Sequence, residues 1–151
     1  MHRKEKFSFG KTFLFYAHSL LDSPVAFSTK WYWLLPLSWG AVIIYLSLLP
    51  SGAGILTLFG IPHFDKVLHA GAYGLLAFLS AFASYKTSGP SSVQVWIILG
   101  ICVAMGCLLE WGQYYMHAGR SFETWDMAAN AVGGIGGILG FTWIRNWFRK
   151  K

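Results

Sequence analysis

Residues 93–116 read VQVWIILGICVAMGCLLEWGQYYM, a stretch with one charged side chain, Glu110, placed near its end. As a helix rising 1.5 Å per residue it reaches about 36 Å, more than the roughly 30 Å of hydrocarbon in a bilayer. Upstream, Lys86-Thr87-Ser88-Gly89-Pro90-Ser91 is a turn short enough to make a helical hairpin with the apolar residues 66–85. Downstream, residues 125–147 are again apolar and end in a basic tail, and residues 31–49 carry no charge at all. The pattern predicts an all-α, polytopic membrane protein: a four-helix bundle in one domain, with spans at 31–49, 66–85, 93–116 and 125–147. Residues 1–30 precede it as a cytoplasmic N-terminal segment. Within that segment residues 7–25 mix Phe7, Phe9, Phe13 and Tyr16 with Lys11 and His18, a composition that suits an interfacial helix or a partly ordered tail.

Composition supports the same solvent. Of 151 residues, 55% are hydrophobic and 12% charged, and mean hydropathy is +0.48. A water-soluble domain needs about 25% charged residues to cover its surface. The net charge of +6 and pI near 9.5 do not describe a nucleic-acid surface, because the basic residues gather at the chain ends rather than in a patch. Cys102 and Cys107 lie five residues apart in one apolar run, which suits packing and not a disulfide framework. The N-terminus lacks the uninterrupted apolar core of a cleaved signal peptide, so it is expected to be retained.

Lysine and arginine set the orientation. With four spans, the N-terminus, the turn at 86–92 and the C-terminus share a side holding ten of the twelve basic residues. That side is expected to be the cytoplasm. Lys66 and Arg120 alone fall opposite, among Asp65, Glu110, Glu123 and Asp126, for a formal charge of minus two.

An ionisable group at membrane depth costs roughly 2.5 kcal/mol or more, so those that occur tend to mark function. Here they fall on one outer shelf. Asp65, Lys66 and His69 open the second span, with Tyr73 a turn deeper; Glu110 and Gln113 stand near the end of the third; Asp126 and Asn130 open the fourth. Arg120 lies in the last loop, while His63 and His117 read as solvated loop residues and Trp111 and Trp125 as interfacial anchors. Glycines 133, 134, 136, 137 and 140 give two overlapping G-x-x-x-G patterns, read as close helix packing within one chain in preference to a dimer seam.

In order, Asp65-Lys66-x-x-His69-x-x-x-Tyr73, Glu110-x-x-Gln113, Gly119-Arg120 and Asp126-x-x-x-Asn130-x-x-Gly133 resemble the VanZ-like family of small bacterial membrane proteins. The resemblance runs from about Trp31 to Trp147, with Leu109 where many members have a second acid and Ala118 where a proline often precedes Gly-Arg. It implies a place in the cell envelope and a link to susceptibility to the glycopeptide teicoplanin, which acts outside the cell membrane. It supplies no catalytic roles.

Two functions fit the shelf. In a site for an envelope lipid, a lipid-linked precursor or a lipid phosphate, His69 and Glu110 are the candidate catalytic acid or base. Asp65, Lys66, Gln113, Arg120, Asp126 and Asn130 are then the ligand-binding candidates, with Lys66 and Arg120 as clamps for an anion. In the alternative, the same groups pin the helices together without chemistry: an aspartate on Arg120, His69 on Glu110, Asn130 on Gln113. No cofactor is expected, and a metal is discounted because no H-x-x-x-H or H-E-x-x-H pattern occurs and two cations stand nearby. Membrane lipids are the expected partners and nucleic acid is not; oligomeric state stays open.

Overall fold

The computed structural model describes residues 29–49, 64–89, 91–115 and 124–150. The segment at 7–25, both long loops, His63, His117 and Arg120 lie outside the described residues. All regular structure in the described part is helical: a 3₁₀ turn, Thr29–Trp33, then α1 (Leu34–Ser47), α2 (Phe64–Ser88), α3 (Ser92–Tyr115) and α4 (Thr124–Arg149). Among the described residues three helices, α2, α3 and α4, are long and apolar enough to cross a membrane.

The first apolar stretch is helical in two geometries. The 3₁₀ turn Thr29–Trp33 runs without a gap into the 14-residue α1, and Trp33 between them keeps helical backbone angles, φ −73° and ψ −15°. Helix therefore covers most of the stretch expected at 31–49, about 21 Å in α1 and about 10 Å in the turn. Pro36 falls in the first turn of α1, where its missing N–H removes no intrahelical bond.

The centre of the bundle is the contact of α2 with α4, and small residues make it possible. A Cβ on Gly133 would overlap the backbone of Ala70, and one on Gly137 the carbonyl of Gly74. Backbone therefore meets backbone, the close approach expected where small residues repeat every four positions in an apolar helix. Gly136 and Gly140, the other half of the overlapping pattern, meet nothing within 4 Å. Farther along the same seam Phe141 is ringed edge-on by Phe78 and Phe82, at centroid distances of 5.7 and 6.4 Å, with Tyr85 tilted at 5.9 Å. Offset and edge-to-face contacts suit the ring quadrupoles.

Helix α3 lies against this pair through Ile98 and Cys102, both buried. Cys102 and Cys107 are free thiols, as their spacing suggested. Helix α1 is tied on at two points. The Trp39 indole N–H donates to the Ala72 carbonyl at 2.9 Å, and the Gln113 amide donates to the Ser47 carbonyl at 2.6 Å, satisfying one of the orphan carbonyls in the last turn of α1. Outward faces stay apolar, with Trp96, Leu108, Val132, Leu139 and Trp143 all exposed, as a lipid-facing surface requires.

Candidate functional site

The start of α2, the end of α3 and the start of α4 meet at one end of the bundle. Counting from those ends, His69 and Glu110 lie about 7.5 Å deep and Asn130 about 9 Å. Asp65 and Asp126 occupy the first turns of their helices, where a negative charge complements the helix dipole.

Lys66 joins the two aspartates. Its ammonium lies 2.5 Å from Asp65 Oδ2 and 2.6 Å from Asp126 Oδ1, so one cation on α2 holds its neighbour and the first turn of α4. His69 sits behind it. The Nδ1–H donates to Asn130 Oδ1 at 3.1 Å, and Nε2 points toward Asp126 Oδ2 at 3.8 Å. The amide thus fixes the ring, and Nε2 becomes the nitrogen that faces a carboxylate, the arrangement by which a histidine is oriented for proton transfer. Histidine 69 and Lys66 each keep a fifth of their side-chain surface exposed.

Deeper in, burial is nearly complete. Glu110 is 4% exposed, Gln113 3% and Asn130 1%. Gly106 makes the room for Asn130, since a Cβ there would stand 2.5 Å from its Nδ2. That Nδ2 is buried and has no hydrogen-bond partner among the described residues. An unmet buried donor costs about 1–3 kcal/mol, so the structure carries an amide N–H at the heart of the cluster that an acceptor would satisfy.

Seven of the eight site residues read from sequence lie in the described part, and all seven are at this end; Arg120 lies outside it. The helix-pinning alternative expected an aspartate on Arg120, which lies outside the described residues, His69 on Glu110 and Asn130 on Gln113; the contacts that follow, among the described side chains, are others. Asp126 meets Lys66, His69 meets Asn130 and Asp126, and Gln113 meets the α1 backbone. The reason is the α2–α4 seam, which brings residue 66 next to residue 126 and residue 69 next to residue 130. Gly106 and the Ser47 carbonyl were not anticipated; the only trace of Gly106 in the sequence is its position one turn before Glu110.

The structure also groups donors that no motif revealed. One ligand atom each from His69, Glu110 and Asp126 lie within 4.8 Å of one another, a set whose nitrogen and oxygen chemistry suits a divalent cation. The Lys66 ammonium already occupies one oxygen of Asp126, so a cation would have to displace it.

Among the described residues this end holds Asp65, Glu110 and Asp126 against Lys66, an excess of carboxylate. At the other end Lys86, Arg145, Arg149 and Lys150 gather with no described acid among them. The bundle is electrically polarised along its length. The chain matches no protein-family model, no curated protein and no solved structure, so the chemistry of this end is read from its own geometry.

Proposed function

We propose that the chain is a VanZ-like protein of the bacterial cytoplasmic membrane, with both termini inside, whose polar end binds the head of an envelope lipid or lipid-linked molecule at the outer leaflet. One observation carries the proposal: side chains from three helices converge on a buried, unsatisfied Asn130 amide beside a histidine whose Nε2 is oriented and partly exposed. A network built only to hold helices together has every reason to satisfy its buried donors. A binding site has reason to leave one for its ligand.

The roles follow from the contacts. His69 takes or gives a proton through Nε2, Asn130 holds the ring, and Asp126 stabilises the charged ring. Glu110 and Gln113 line the deep side. Lys66, shared by two carboxylates, is a weaker anion clamp than its sequence position suggested, and the carboxylate excess favours a head group that offers hydroxyl or amine donors. A glycopeptide-sensitive envelope component, of the kind the VanZ resemblance implies, has such groups.

The test separates activity from folding. Cells expressing the chain are scored for teicoplanin susceptibility with wild type, His69→Ala and Glu110→Gln, alongside protein level and melting temperature in detergent. The proposal expects the phenotype to be lost while level and melting temperature stay near wild type. A parallel loss of fold and phenotype would instead support the helix-pinning role, which the Lys66–Asp126 pair across α2 and α4 favours.

A further inference from the structure

The polar end holds a geometry that its hydrogen bonds do not use. His69 Nε2 and Asp126 Oδ2 face each other at 3.8 Å, too long for a hydrogen bond. Two ligands of one tetrahedral cation, each bonded at about 2.1 Å, stand about 3.4 Å apart. One ligand atom each from His69, Asp126 and Glu110, the last from a third helix, fall within 4.8 Å of one another, so closing on a cation takes at most about 1.4 Å of side-chain movement. The other ring nitrogen of His69 is already set, its Nδ1–H donating to Asn130 Oδ1 at 3.1 Å. That is the outer hydrogen bond by which a metal-ligating histidine is given its tautomer and its orientation.

Two further groups decide what such a site takes. Asn130, 1% exposed, keeps its Nδ2 without a hydrogen-bond partner among the described residues, and that group faces α3 at Gly106, one turn before Glu110. A buried donor calls for an acceptor, and a cation that brings an oxygen ligand of its own supplies one. Lys66 is the second group. Its ammonium lies on Asp126 Oδ1 while His69 faces Oδ2, so it repels a divalent ion at that carboxylate. Its four-carbon stem is flexible and a fifth of its side-chain surface is exposed, so an oxyanion arriving from outside can draw the ammonium away. Among the described residues this end carries three carboxylates, Asp65, Glu110 and Asp126, less one ammonium. That formal charge of minus two turns an oxyanion away, and a divalent cation cancels it.

We propose that His69, Glu110 and Asp126 form a divalent-cation site that Lys66 keeps closed in the free protein, and that a phosphate-bearing ligand opens it by taking the ammonium, so that cation and phosphate bind together. Each partner removes the other's obstacle: the phosphate draws off the competing ammonium, and the cation neutralises the carboxylates that repel the phosphate. Such coupling is reciprocal. In the assembled state one phosphate oxygen completes the coordination of the cation and accepts from Asn130 Nδ2, and another pairs with the Lys66 ammonium. The proposal deepens the ligand-binding reading of this end and rests on it. The phosphate belongs to a lipid head or to a soluble molecule, one chemistry from two sources.

The full-length chain, purified in detergent and freed of metal with a chelator, is titrated calorimetrically with zinc alone, with zinc and glycerol phosphate, and with zinc and dioctanoyl phosphatidic acid. Zinc alone should bind weakly, and phosphate should raise its affinity about tenfold or more, within the range typical of coupled sites. A gain from both compounds supports the site with soluble phosphate sufficing; a gain from the lipid alone supports it with a lipid head as the source. His69→Ala and Glu110→Gln should lose the gain, and they measure the zinc held by the lipid itself. Lys66→Met, which leaves all three ligands in place and serves if the other variants fail to fold, should bind zinc without phosphate and gain little from it. No gain from either phosphate, or the same gain in His69→Ala, would overturn the proposal. Native protein that keeps a lipid-linked species unchanged after chelation, with no zinc gain, overturns the cation and leaves the lipid site standing. A phosphate-dependent zinc gain in protein that carries no such species supports the cation site and overturns the lipid head as its ligand.

Discussion

Gly133 and Gly137 are where the site and the fold depend on the same atoms. Changing Gly133 to alanine puts a methyl group 2.7 Å from the Ala70 carbonyl carbon and 2.8 Å from its Cα. Ordinary carbon contacts begin near 3.5 Å, so α2 and α4 must separate by about 1 Å. The obstacle is backbone and cannot rotate aside, which places the cost in the upper part of the roughly 1–3 kcal/mol typical of overpacking. Replacing a helical glycine returns about 1 kcal/mol of propensity, leaving a net loss of about 1–2 kcal/mol. Gly136→Ala meets nothing within 4 Å and should gain up to about 1 kcal/mol by the same propensity. Because His69 and Asn130 flank this contact, a 1 Å separation also stretches their 3.1 Å hydrogen bond beyond useful length. Denaturant titration of both variants in mixed micelles reads the difference directly, and under the proposed function teicoplanin scoring of the same variants reads the site. If Gly133→Ala proves as stable as Gly136→Ala, the seam does not hold the bundle as described.

Other expectations follow from single contacts. Gly106→Ala drives a Cβ into Asn130 Nδ2 and should cost about 1–2 kcal/mol while breaking the His69 contact, seen as a changed His69 ring signal in NMR. Lys66→Met strips the partner from Asp126, whose side chain is 11% exposed, and should destabilise by about 1–3 kcal/mol; adding Asp126→Asn should recover part of that loss, with a coupling of at least about 0.5 kcal/mol in a double-mutant cycle. Elemental analysis should find less than stoichiometric zinc in the wild type, because the Lys66 ammonium holds Asp126, whereas Lys66→Met should bind zinc through His69, Glu110 and Asp126 in a calorimetric titration. Gln113→Ala removes the donor to Ser47 and should loosen α1, raising amide exchange in its last turn.

Much of this arrangement is legible in the residues themselves. Helices α2, α3 and α4 begin and end within three residues of the apolar stretches that define them, because a bilayer leaves a backbone little choice but helix. The polar shelf is legible for a similar reason: charges in an otherwise apolar chain stand out, and helix ends fix their depth. Which charge meets which is another matter. Spacing places Lys66 and His69 on a face of α2 but does not say how near α4 comes, and that distance depends on Gly133 and Gly137 facing Ala70 and Gly74 while Gly136 and Gly140 face away. From spacing alone Lys66 reads as an anion clamp, whereas in the structure it holds Asp126. Pro36, by contrast, marks in the sequence where the first turn of α1 falls.

The polar end is a functional site only if it holds a ligand. Mass analysis of the chain released gently from its native membrane, comparing wild type with Asn130→Ala and His69→Ala variants of equal stability, tests that most directly. A bound lipid-linked species should accompany the wild type, distinct from bulk phospholipid, and should fall by about tenfold or more when either side chain is removed, the loss expected from one buried polar contact. Identical spectra for all three proteins would contradict the account and leave the cluster as a device for joining helices.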